Sequence, residues 1–462
     1  MAAIAEIPGP KGIPLLGSAL DLQRDSLDTF VRARREYGDV VRISAGPPGL
    51  RSVMHCVFSA AGAQQVLATQ TANFRKDNRL YEEIRLSIGN GLLTSQDADY
   101  LRQRRLIQPL FTKRQVDGYA TAVTLEAGST VERWRAARDA DGDTVVDVIR
   151  EMDRFALRTV ARILFGADIE AAADVVHDNF PVINAYLLRR GFSPVNSPRS
   201  WPLPANRRAE EATRAVYAVC DRIIAARRAA GTTSAADGDD LLSLLARAGS
   251  EEDGSLDAAE LRDQLLVFLI AGHETTGTSM TFALHLLSRH PEVQARAQEE
   301  VDRLPAGHTP SAADLDRLPY LTRVLKEAMR LYPAAPLIGR RSVEAAEIGG
   351  HVIPAGADVL VPPWVIHRHP DLWDDPERFD PDRFTPEREA ARHRYAWFPF
   401  GGGPRACIGQ HFAMLESVLA LAVLLRAYEL EAVDREVSVV AGITLQATGT
   451  ARVRLRARPQ AR

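Results

Sequence analysis

The chain has 462 residues, a formal net charge of −3, 46% hydrophobic residues and 25% charged residues. This composition is typical of a soluble globular protein, and it excludes extensive disorder, a membrane-embedded fold and a general attraction to nucleic acid. Three cysteines are too few for a disulfide framework, so we expect a protein of the reducing cytoplasm.

The N-terminal segment, MAAIAEIPGPKGIPLLG, lacks the apolar run of a signal peptide. The chain nowhere reaches the ~18 consecutive apolar residues of a transmembrane helix, so we expect no membrane anchor. Polar breaks at 136–143, 231–240 and 250–256 are typical of surface turns between packed helices. Since there are no repeats and no linkers, we expect a single domain over residues 1–462.

Strand signals lie near the two ends of the chain. Segments rich in β-branched residues predict strands within 42–58, 351–361 and 437–457, and most of the remaining chain has helical periodicity. A doubly wound fold would alternate strands with helices along the chain. The sequence therefore predicts a mainly α fold with small peripheral β-sheets.

The longest predicted helix begins at Leu256-Asp257 and ends near His290, before a proline. It spans ~50 Å at 1.5 Å per residue. Its middle, Leu265 to Gly272, is apolar on every face and indicates a helix buried all round.

The sequence AGHETT, at 271–276, places polar groups inside this apolar helix. A threonine here can bond back to a carbonyl and bend the helix, or it can relay protons together with the neighbouring glutamate. A zincin site is excluded, because the His273-Glu274 pair lacks the second histidine of that motif. Further on, LKEAMRLYP puts Glu327 and Arg330 three apart, which by itself indicates an ordinary helical ion pair.

The segment FPFGGGPRACIG, at 398–409, allows several interpretations. It matches the G-x-G-x-x-A pattern of a dinucleotide turn, but no parallel strand follows within ~30 residues. A zinc pair of Cys407 and His411 lacks two further ligands. A buried, inert cysteine remains an alternative.

The neighbours of Cys407 favour a reactive thiolate. Glycine-rich backbone before a helix N-terminus offers N–H groups to an anion, so we expect a lowered pKa for Cys407. A thiolate bound to haem iron pushes electron density toward the opposite axial ligand. Arg405 can meet a haem propionate through a charge-assisted hydrogen bond.

Phe400, Gly403, Arg405, Cys407 and Gly409 match F-x-x-G-x-R-x-C-x-G, the haem-binding signature of the cytochromes P450. The chain resembles this family over essentially its whole length. The resemblance implies a cytochrome P450 fold with haem b as cofactor, O2 as cosubstrate and Cys407 as the axial ligand of the haem iron.

The AGHETT sequence also matches a pattern of this family, A/G-G-x-D/E-T-T/S. The resemblance implies that a small residue clears space for dioxygen while a hydroxyl and a carboxylate deliver protons. The catalytic set implied in this way is Ala271, Gly272, Glu274, Thr275 and Thr276.

The same resemblance implies further haem contacts. Tyr100 stands in the Trp or His position of the family's W-x-x-x-R segment. The implied haem contacts besides Cys407 are Tyr100, Arg104, Arg340, Phe400, Gly401, Arg405 and Gly409.

In this family the Glu327 and Arg330 pair joins an arginine of the segment that precedes the cysteine loop. The string PERF, at 376–379, offers Arg378, but the spacing favours Arg383. His367 and His369 are expected to be loop residues without chemistry.

The resemblance implies a monomeric haem-thiolate monooxygenase that hydroxylates or epoxidises a hydrophobic small molecule, such as a terpenoid or polyketide secondary metabolite. By analogy with the family, its substrate pocket is lined by the segment after Lys76 and by residues 180–204, 267–275, 334–338 and 443–446. Alternatives are a peroxygenase or an isomerase on the same fold, and a haem-binding sensor. The presence of Glu274 and Thr275 argues against a peroxygenase or an isomerase, because those reactions need no relay of protons to dioxygen.

Electrons are expected from a separate ferredoxin or flavodoxin-type donor with its NAD(P)H reductase. A basic cluster is the predicted docking face for this donor, since basic patches steer acidic partners. Its members are Arg102, Arg104, Arg105, Lys113 and Arg114.

Overall fold

The computed structural model describes residues 6–137, 144–165, 170–193, 196–230, 241–250 and 252–459. The α-helices within these ranges are α1 (Ala19–Tyr37), α2 (Ala60–Gln64), α3 (Arg79–Ile88), α4 (Asp97–Ile107), α5 (Lys113–Asp117), α6 (Ala120–Ala136), α7 (Val148–Phe165), α8 (Glu170–Phe192), α9 (Pro204–Ala230), α10 (Leu241–Arg247), α11 (Ala258–Arg289), α12 (Pro291–Asp302), α13 (Pro319–Leu331), α14 (Pro363–Ile366), α15 (Pro386–Ala391) and α16 (Gln410–Ala427).

The β-strands are short. They are β1 (Val40–Ala45), β2 (Ser52–Val57), β3 (Phe74–Arg75), β4 (Thr144–Asp147), β5 (Gly249–Ser250), β6 (Gly254–Ser255), β7 (Ile338–Ser342), β8 (Ala346–Ile348), β9 (His351–Ile353), β10 (Asp358–Val361), β11 (Tyr428–Ala432), β12 (Ser438–Ala441), β13 (Leu445–Thr448) and β14 (Arg452–Ala457).

The strands form one larger sheet and several small ones. The five-stranded sheet has the order β1-β2-β10-β7-β3, in which β10 runs parallel to β2 and the other pairs are antiparallel. The remaining strands make a three-stranded sheet, β11-β14-β4, and three hairpins. The predicted mainly α fold with small sheets is confirmed.

The placement of strands only near the chain ends was wrong. β4 lies between α6 and α7, and it pairs with β14 from the C-terminal end of the chain. A four-residue strand of this kind is stabilised by its tertiary partner rather than by a local pattern. The polar break at 250–256 contains the hairpin of β5 and β6, whereas 138–143 and 231–240 lie outside the described residues.

Helix α11 runs through the core as one uninterrupted helix. The Asp257 carboxylate accepts hydrogen bonds from the backbone N–H groups of Ala259 and Glu260, at 2.8 Å each, and Glu260 completes a capping box. Its 32 residues span ~48 Å, which confirms the predicted start and end. A Cβ atom at Gly272 would lie 2.7 Å from Val160 Cγ2, so this glycine lets α7 pack closely on α11.

Helix α16 follows the cysteine loop and packs against α6, α11, α12 and α13. It is long and apolar enough to cross a bilayer, and 61% of its residues are buried inside the protein. An apolar helix covered on most sides is what the core of a large helical protein requires. Its N-terminus is thereby fixed beneath α11, where Cys407 lies.

Candidate active site

A cavity of about 340 Å³ separates α11 from the cysteine loop. The structure brings the two predicted groups to opposite walls of this cavity. Its lining includes Ala271, Gly272, Thr275 and Thr276 on the α11 side, and Phe400, Gly401, Arg405, Cys407 and Gly409 on the loop side.

The cysteine loop is held in shape by its backbone. The Cys407 N–H donates to the Phe400 carbonyl at 2.9 Å, and Gly401 and Gly403 have φ values of +70° and +64°. A Cβ atom at Gly403 would lie 2.0 Å from the Leu67 carbonyl oxygen, so no other residue fits there. These glycines shape the loop, and the backbone N–H that reaches the sulfur of Cys407 is that of Gly409.

The expected lowering of the Cys407 pKa was wrong for the protein alone. Burial raises the pKa of this thiol, and the Gly409 N–H and the charges of Arg104 and Lys76 only partly oppose the rise. Because the side chain is open to the cavity, it is accessible to a ligand there. A metal cation bound to the sulfur would stabilise the thiolate form. Among the described residues, no group of three or more His, Cys, Asp or Glu side chains could hold a metal ion, which leaves the zinc alternative without support.

Four cationic side chains surround the same cavity: Lys76, Arg104, Arg340 and Arg405. No aspartate or glutamate lines it among the residues that the structure describes. Burial and mutual repulsion lower the pKa of Lys76 well below its usual value, and burial lowers the pKa of Arg405 to about 10. Lys76 and Arg340 are buried, Arg104 and Arg405 are half-buried, and none of the four forms an ion pair with another described residue. Because buried charge without a counterion is costly, the cluster favours an anionic ligand. The two propionates of haem, with its iron at Cys407, fit this charge pattern.

The predicted haem contacts also hold the cysteine loop. Tyr100 donates its hydroxyl to the Pro404 carbonyl at 2.6 Å, and Arg104 donates to the Ala406 carbonyl at 3.0 Å. Arg405 donates to the Ser95 carbonyl at 2.6 Å, and its guanidinium stacks on the Tyr100 ring at 3.6 Å. Helix α4 and the loop are therefore connected beside the cavity.

On α11, Thr275 and Glu274 face different surroundings. The Thr275 hydroxyl lines the cavity and donates to the Ala271 carbonyl at 2.6 Å, so the back-bond is present without a break in the helix. The Glu274 carboxylate accepts from Thr444 at 2.7 Å and from Asn184 at 3.4 Å. Burial raises the pKa of Glu274 above its usual value, and the hydrogen bonds from Thr444 and Asn184 partly oppose the rise.

A buried ion cluster lies beneath the cavity. Glu327 accepts from Arg330 at 2.6 and 2.8 Å, and both side chains are fully buried. Arg383 Nε lies 3.3 Å from Glu327, whereas the Arg378 side chain is 62% exposed and pairs with Asp380. Of the two candidate arginines, the structure places Arg383 in the cluster.

Lys76 and His367 were missed by sequence reasoning. Lys76 is buried and donates to the Leu93 carbonyl at 3.1 Å. His367 Nε2 accepts the backbone N–H of Phe398 at 3.0 Å, and its carbonyl accepts from Arg330 at 2.9 Å. Burial lowers the pKa of His367 well below its usual value, so the ring is neutral. No motif marks either residue, since only the folded chain brings them to the site.

The apolar part of the cavity is formed by Val267, Ala334, Ala335 and Ile338. The expected contributions of 180–204 and 443–446 are wrong for the described residues of these segments. Helix α8 packs on α3 and α9 instead, and Thr444 reaches Glu274 rather than the cavity.

The predicted basic docking face is largely neutralised. Arg102 pairs with Glu260, Arg105 pairs with Asp253, and Lys113 pairs with Asp117. Arg104 lines the cavity and bonds to the loop. The linear sequence could not show these carboxylates, because two of the three lie about 150 residues away.

Comparisons with known proteins identify relatives over nearly the whole chain. The family model described as Cytochrome P450 matches residues 7–444. The chain is 36% identical over 451 residues to pentalenene oxygenase of Streptomyces avermitilis, with 97% of each chain covered. It is 36% identical over 417 residues to cyclooctatin synthase of Streptomyces melanosporofaciens, with 90% of this chain and 88% of the relative covered.

A solved structure gives the same result. The crystal structure of the cytochrome P450DA heme domain superposes with a TM-score of 0.87 and 28% sequence identity, with 99% of both chains covered. A third relative, the cyclooctat-9-en-7-ol 5-monooxygenase of Streptomyces melanosporofaciens, is 34% identical over 426 residues, with 92% of this chain and 89% of the relative covered. Taken with the cysteine loop and the cavity above it, these matches show that the chain belongs to the cytochrome P450 family and is a P450 monooxygenase.

Proposed function

We propose that this protein binds haem b through Cys407 and hydroxylates or epoxidises a terpenoid, using O2 and electrons from a separate donor. The observation that carries the proposal is one cavity that joins Cys407, Thr275 and four cations that have no carboxylate partner among the described residues. Haem held in this way supplies dioxygen activation. The protein's own residues bind the cofactor, shape the pocket and move protons.

Cofactor binding is assigned to two groups of residues. Cys407 supplies the ligand to iron, and the Gly409 N–H stabilises negative charge on its sulfur. Lys76, Arg104, Arg340 and Arg405 hold the propionates. Glu327 with Arg330 and Arg383 fixes the segment beneath the loop, so these three are positioning residues.

Proton delivery is assigned to Thr275 and Glu274. Since the Thr275 hydroxyl donates its hydrogen to Ala271, its lone pairs remain available to accept a hydrogen bond from a molecule in the cavity. Glu274 is half-buried, has a pKa raised above its usual value by burial, and is oriented by Thr444 and Asn184. Ala271 and Gly272 keep the cavity wall beside them free of bulky groups.

The terpenoid class is favoured by the pocket and by the relatives. Val267, Ala334, Ala335 and Ile338 offer an apolar surface without a charged anchor. Relatives at 36% and 34% identity are named for the oxidation of pentalenene and cyclooctat-9-en-7-ol, which are terpenoids.

The electron donor is proposed to be a ferredoxin or flavodoxin-type protein with its NAD(P)H reductase, acting on a cytoplasmic, monomeric enzyme. The described residues contain no cysteine cluster able to hold an iron–sulfur centre, which supports an external donor.

The test begins with the optical spectrum of the reduced carbon monoxide complex. Cys407→Ala should abolish the thiolate-haem band, whereas His411→Ala, on the adjacent exposed turn, should retain it. A thiolate band in the Cys407→Ala variant would exclude this ligand.

Substrate and reaction are tested on the holoenzyme. We expect cyclic terpenes to shift the haem spin state and to yield oxygenated products with a surrogate ferredoxin and reductase. Equal turnover by hydrogen peroxide alone, unaffected by Thr275→Ala, would establish a peroxygenase. Oxygen binding without product from any terpene would favour a sensor.

A further inference from the structure

The segment that joins α3 to α4 is largely buried, although it forms neither helix nor strand. We call residues 89–95 the anchored loop. Buried backbone polar groups need hydrogen-bond partners, and here side chains of other elements supply them. On the side of the cationic cluster, the carbonyls of residues 93, 94 and 95 accept from Lys76, Arg85 and Arg405 respectively.

Helix α11 holds the other part of the anchored loop through two consecutive side chains. The Asp263 carboxylate accepts the Asn90 N–H at 2.8 Å, and Gln264 Oε1 accepts the Leu92 N–H at 2.9 Å. Gln264 is fully buried, and its Nε2 atom has no hydrogen-bond partner among the described residues. The bond to Leu92 is therefore what offsets the burial of this amide.

Two glycines let the backbone of the anchored loop lie directly against α11. Gly89 has a φ of +84°, and a side chain there would overlap with the Asp263 carboxylate. A Cβ atom at Gly91 would lie 2.8 Å from Val267 Cγ2 and 3.0 Å from the Asp263 carbonyl oxygen. The loop thus contacts both the residue that anchors it and a residue of the cavity wall.

The anchored loop forms part of the cavity wall as well. Leu92 and Leu93 line the cavity, and so do Val267 and Phe268 of α11. Val267 and Phe268 follow Gln264 by three and four residues, so they lie on the same face of α11 as the anchor. One face of α11 therefore forms one part of the wall and fixes the position of another part.

We infer that Asp263 and Gln264 are positioning residues that determine how an apolar substrate is oriented in the cavity, because they fix Leu92 and Leu93 in its wall. The residues of the apolar part of the cavity carry no charge, so the shape of the wall has to orient a substrate there. Hydrogen bonds from a rigid helix hold that shape. The inference rests on the proposed function, which makes this cavity the substrate pocket, and it adds the residues that fix its wall.

The first experiment measures hydrogen exchange of the backbone amides of residues 89–95 in the ferric holoenzyme. Gln264→Leu keeps the size of the side chain but removes the acceptor, and Asp263→Ala removes the acceptor for Asn90. Exchange in the anchored loop should become roughly 10-fold faster in both variants. Asp263→Asn retains an acceptor oxygen and should restore the slow exchange. Unchanged exchange in Gln264→Leu and Asp263→Ala would contradict the inference.

The second experiment compares the binding of imidazole and 4-phenylimidazole to the same variants. Both ligands bind haem iron through a ring nitrogen, but only 4-phenylimidazole places a phenyl group in the cavity, so effects on the haem itself cancel in the ratio. Gln264→Leu and Asp263→Ala should lower the affinity for 4-phenylimidazole roughly 10-fold relative to imidazole. An unchanged ratio together with faster exchange would show that the two anchors only stabilise the fold, and the inference would be wrong.

Asp99→Ala is the matched control. Asp99 is exposed and accepts from the side chain of Asn90 at 3.3 Å, so its loss leaves the backbone bonds of the anchored loop in place. It should change neither the exchange nor the affinity ratio. If Gln264→Leu does not incorporate haem, Asp263→Ala carries both measurements, since Asp263 is only half-buried.

Oxidation of the cyclic terpenes limonene and cedrene separates this inference from the proposed function. With the holoenzyme, Gln264→Leu and Asp263→Ala should raise KM and change the ratio of product isomers, while the thiolate-haem band stays in place. If the natural protein oxidises neither terpene, the terpenoid proposal fails, and the imidazole pair still decides the role of the anchors. If all variants give the same KM and the same isomer ratio as the natural protein, the inference about Asp263 and Gln264 alone fails.

Discussion

At the scale of single residues, the site depends on groups whose properties are set by burial. Burial raises the pKa of Cys407 in the protein alone, and burial together with the charges of Arg405 and Arg340 lowers the pKa of Lys76 well below its usual value. Each is stabilised by a ligand of the opposite charge. The cysteine could be identified from its motif, whereas the lysine could not.

Lys76→Met should weaken haem binding without destabilising the apoprotein. Removal of a buried cation relieves repulsion with Arg340 and Arg405, so we expect the apoprotein to be no less stable. Loss of a hydrogen bond to a charged group costs about 1.5–3 kcal/mol, which corresponds to a roughly 10- to 100-fold lower haem affinity. Haem transfer to a competing apoprotein measures this. The exposed Lys11→Met variant is the control, and equal haem retention by both variants would contradict the assignment.

Arg383→Ala and Arg378→Ala form a matched pair. Arg383 is buried against Glu327, so its loss should lower the free energy of unfolding by about 1–3 kcal/mol. The Arg378 side chain is exposed, and its replacement should have no measurable effect, because its contribution to the cluster is a backbone carbonyl. Urea unfolding of the two variants distinguishes them, and the reverse order would mean that the wrong arginine has been placed in the cluster.

At the scale of elements, α3 and α8 are connected by a buried acid. Glu83 of α3 accepts from Arg190 of α8 at 2.8 Å and from Arg199 at 3.1 Å, and Arg199 also bonds to Ser87. Burial opposes ionisation of Glu83, but the two arginines outweigh it, so its pKa lies below the usual value of 4.5. This contact fixes α3, from which Tyr81 lines the cavity, against α8.

Glu83→Gln tests this connection through pH. A lowered pKa in the folded protein stabilises the fold fully above pH 4.5, and this contribution is lost as the pH falls through the folded-state value. At pH 7 the variant should be less stable by about 2–3 kcal/mol, and the difference should shrink below pH 4.5. Urea unfolding at several pH values measures it. Glu82→Gln, an exposed neighbour, should show no such dependence, and a pH-independent difference for Glu83→Gln would refute the argument.

At the scale of the whole molecule, the arrangement is two long helices with a cavity between them. α11 supplies one wall, and the cysteine loop with α16 supplies the other, while α4 and the Glu327 cluster hold the loop from its sides. The family match over residues 7–444 is consistent with this arrangement. A single domain over residues 1–462 stays a prediction.

The sequence by itself determined the features that rest on short spacing. The cysteine loop, the AGHETT segment and the Glu327 and Arg330 pair each lie within about a dozen residues, and the start and end of α11 follow from local capping. These features were sufficient to indicate the family and the chemistry.

Only the tertiary structure decided which distant groups meet. Arg405 bonds to a carbonyl 310 positions away, Arg102 is neutralised by a glutamate 158 positions away, and Asp153 lies beside Gly277. The reason is physical, because ion pairing and pKa values depend on burial and on the residues that are neighbours in space. Local sequence patterns show neither the burial of a residue nor its spatial neighbours. The role of each cation therefore depends on its position in the folded chain, relative to the cavity and to the carboxylates of distant segments.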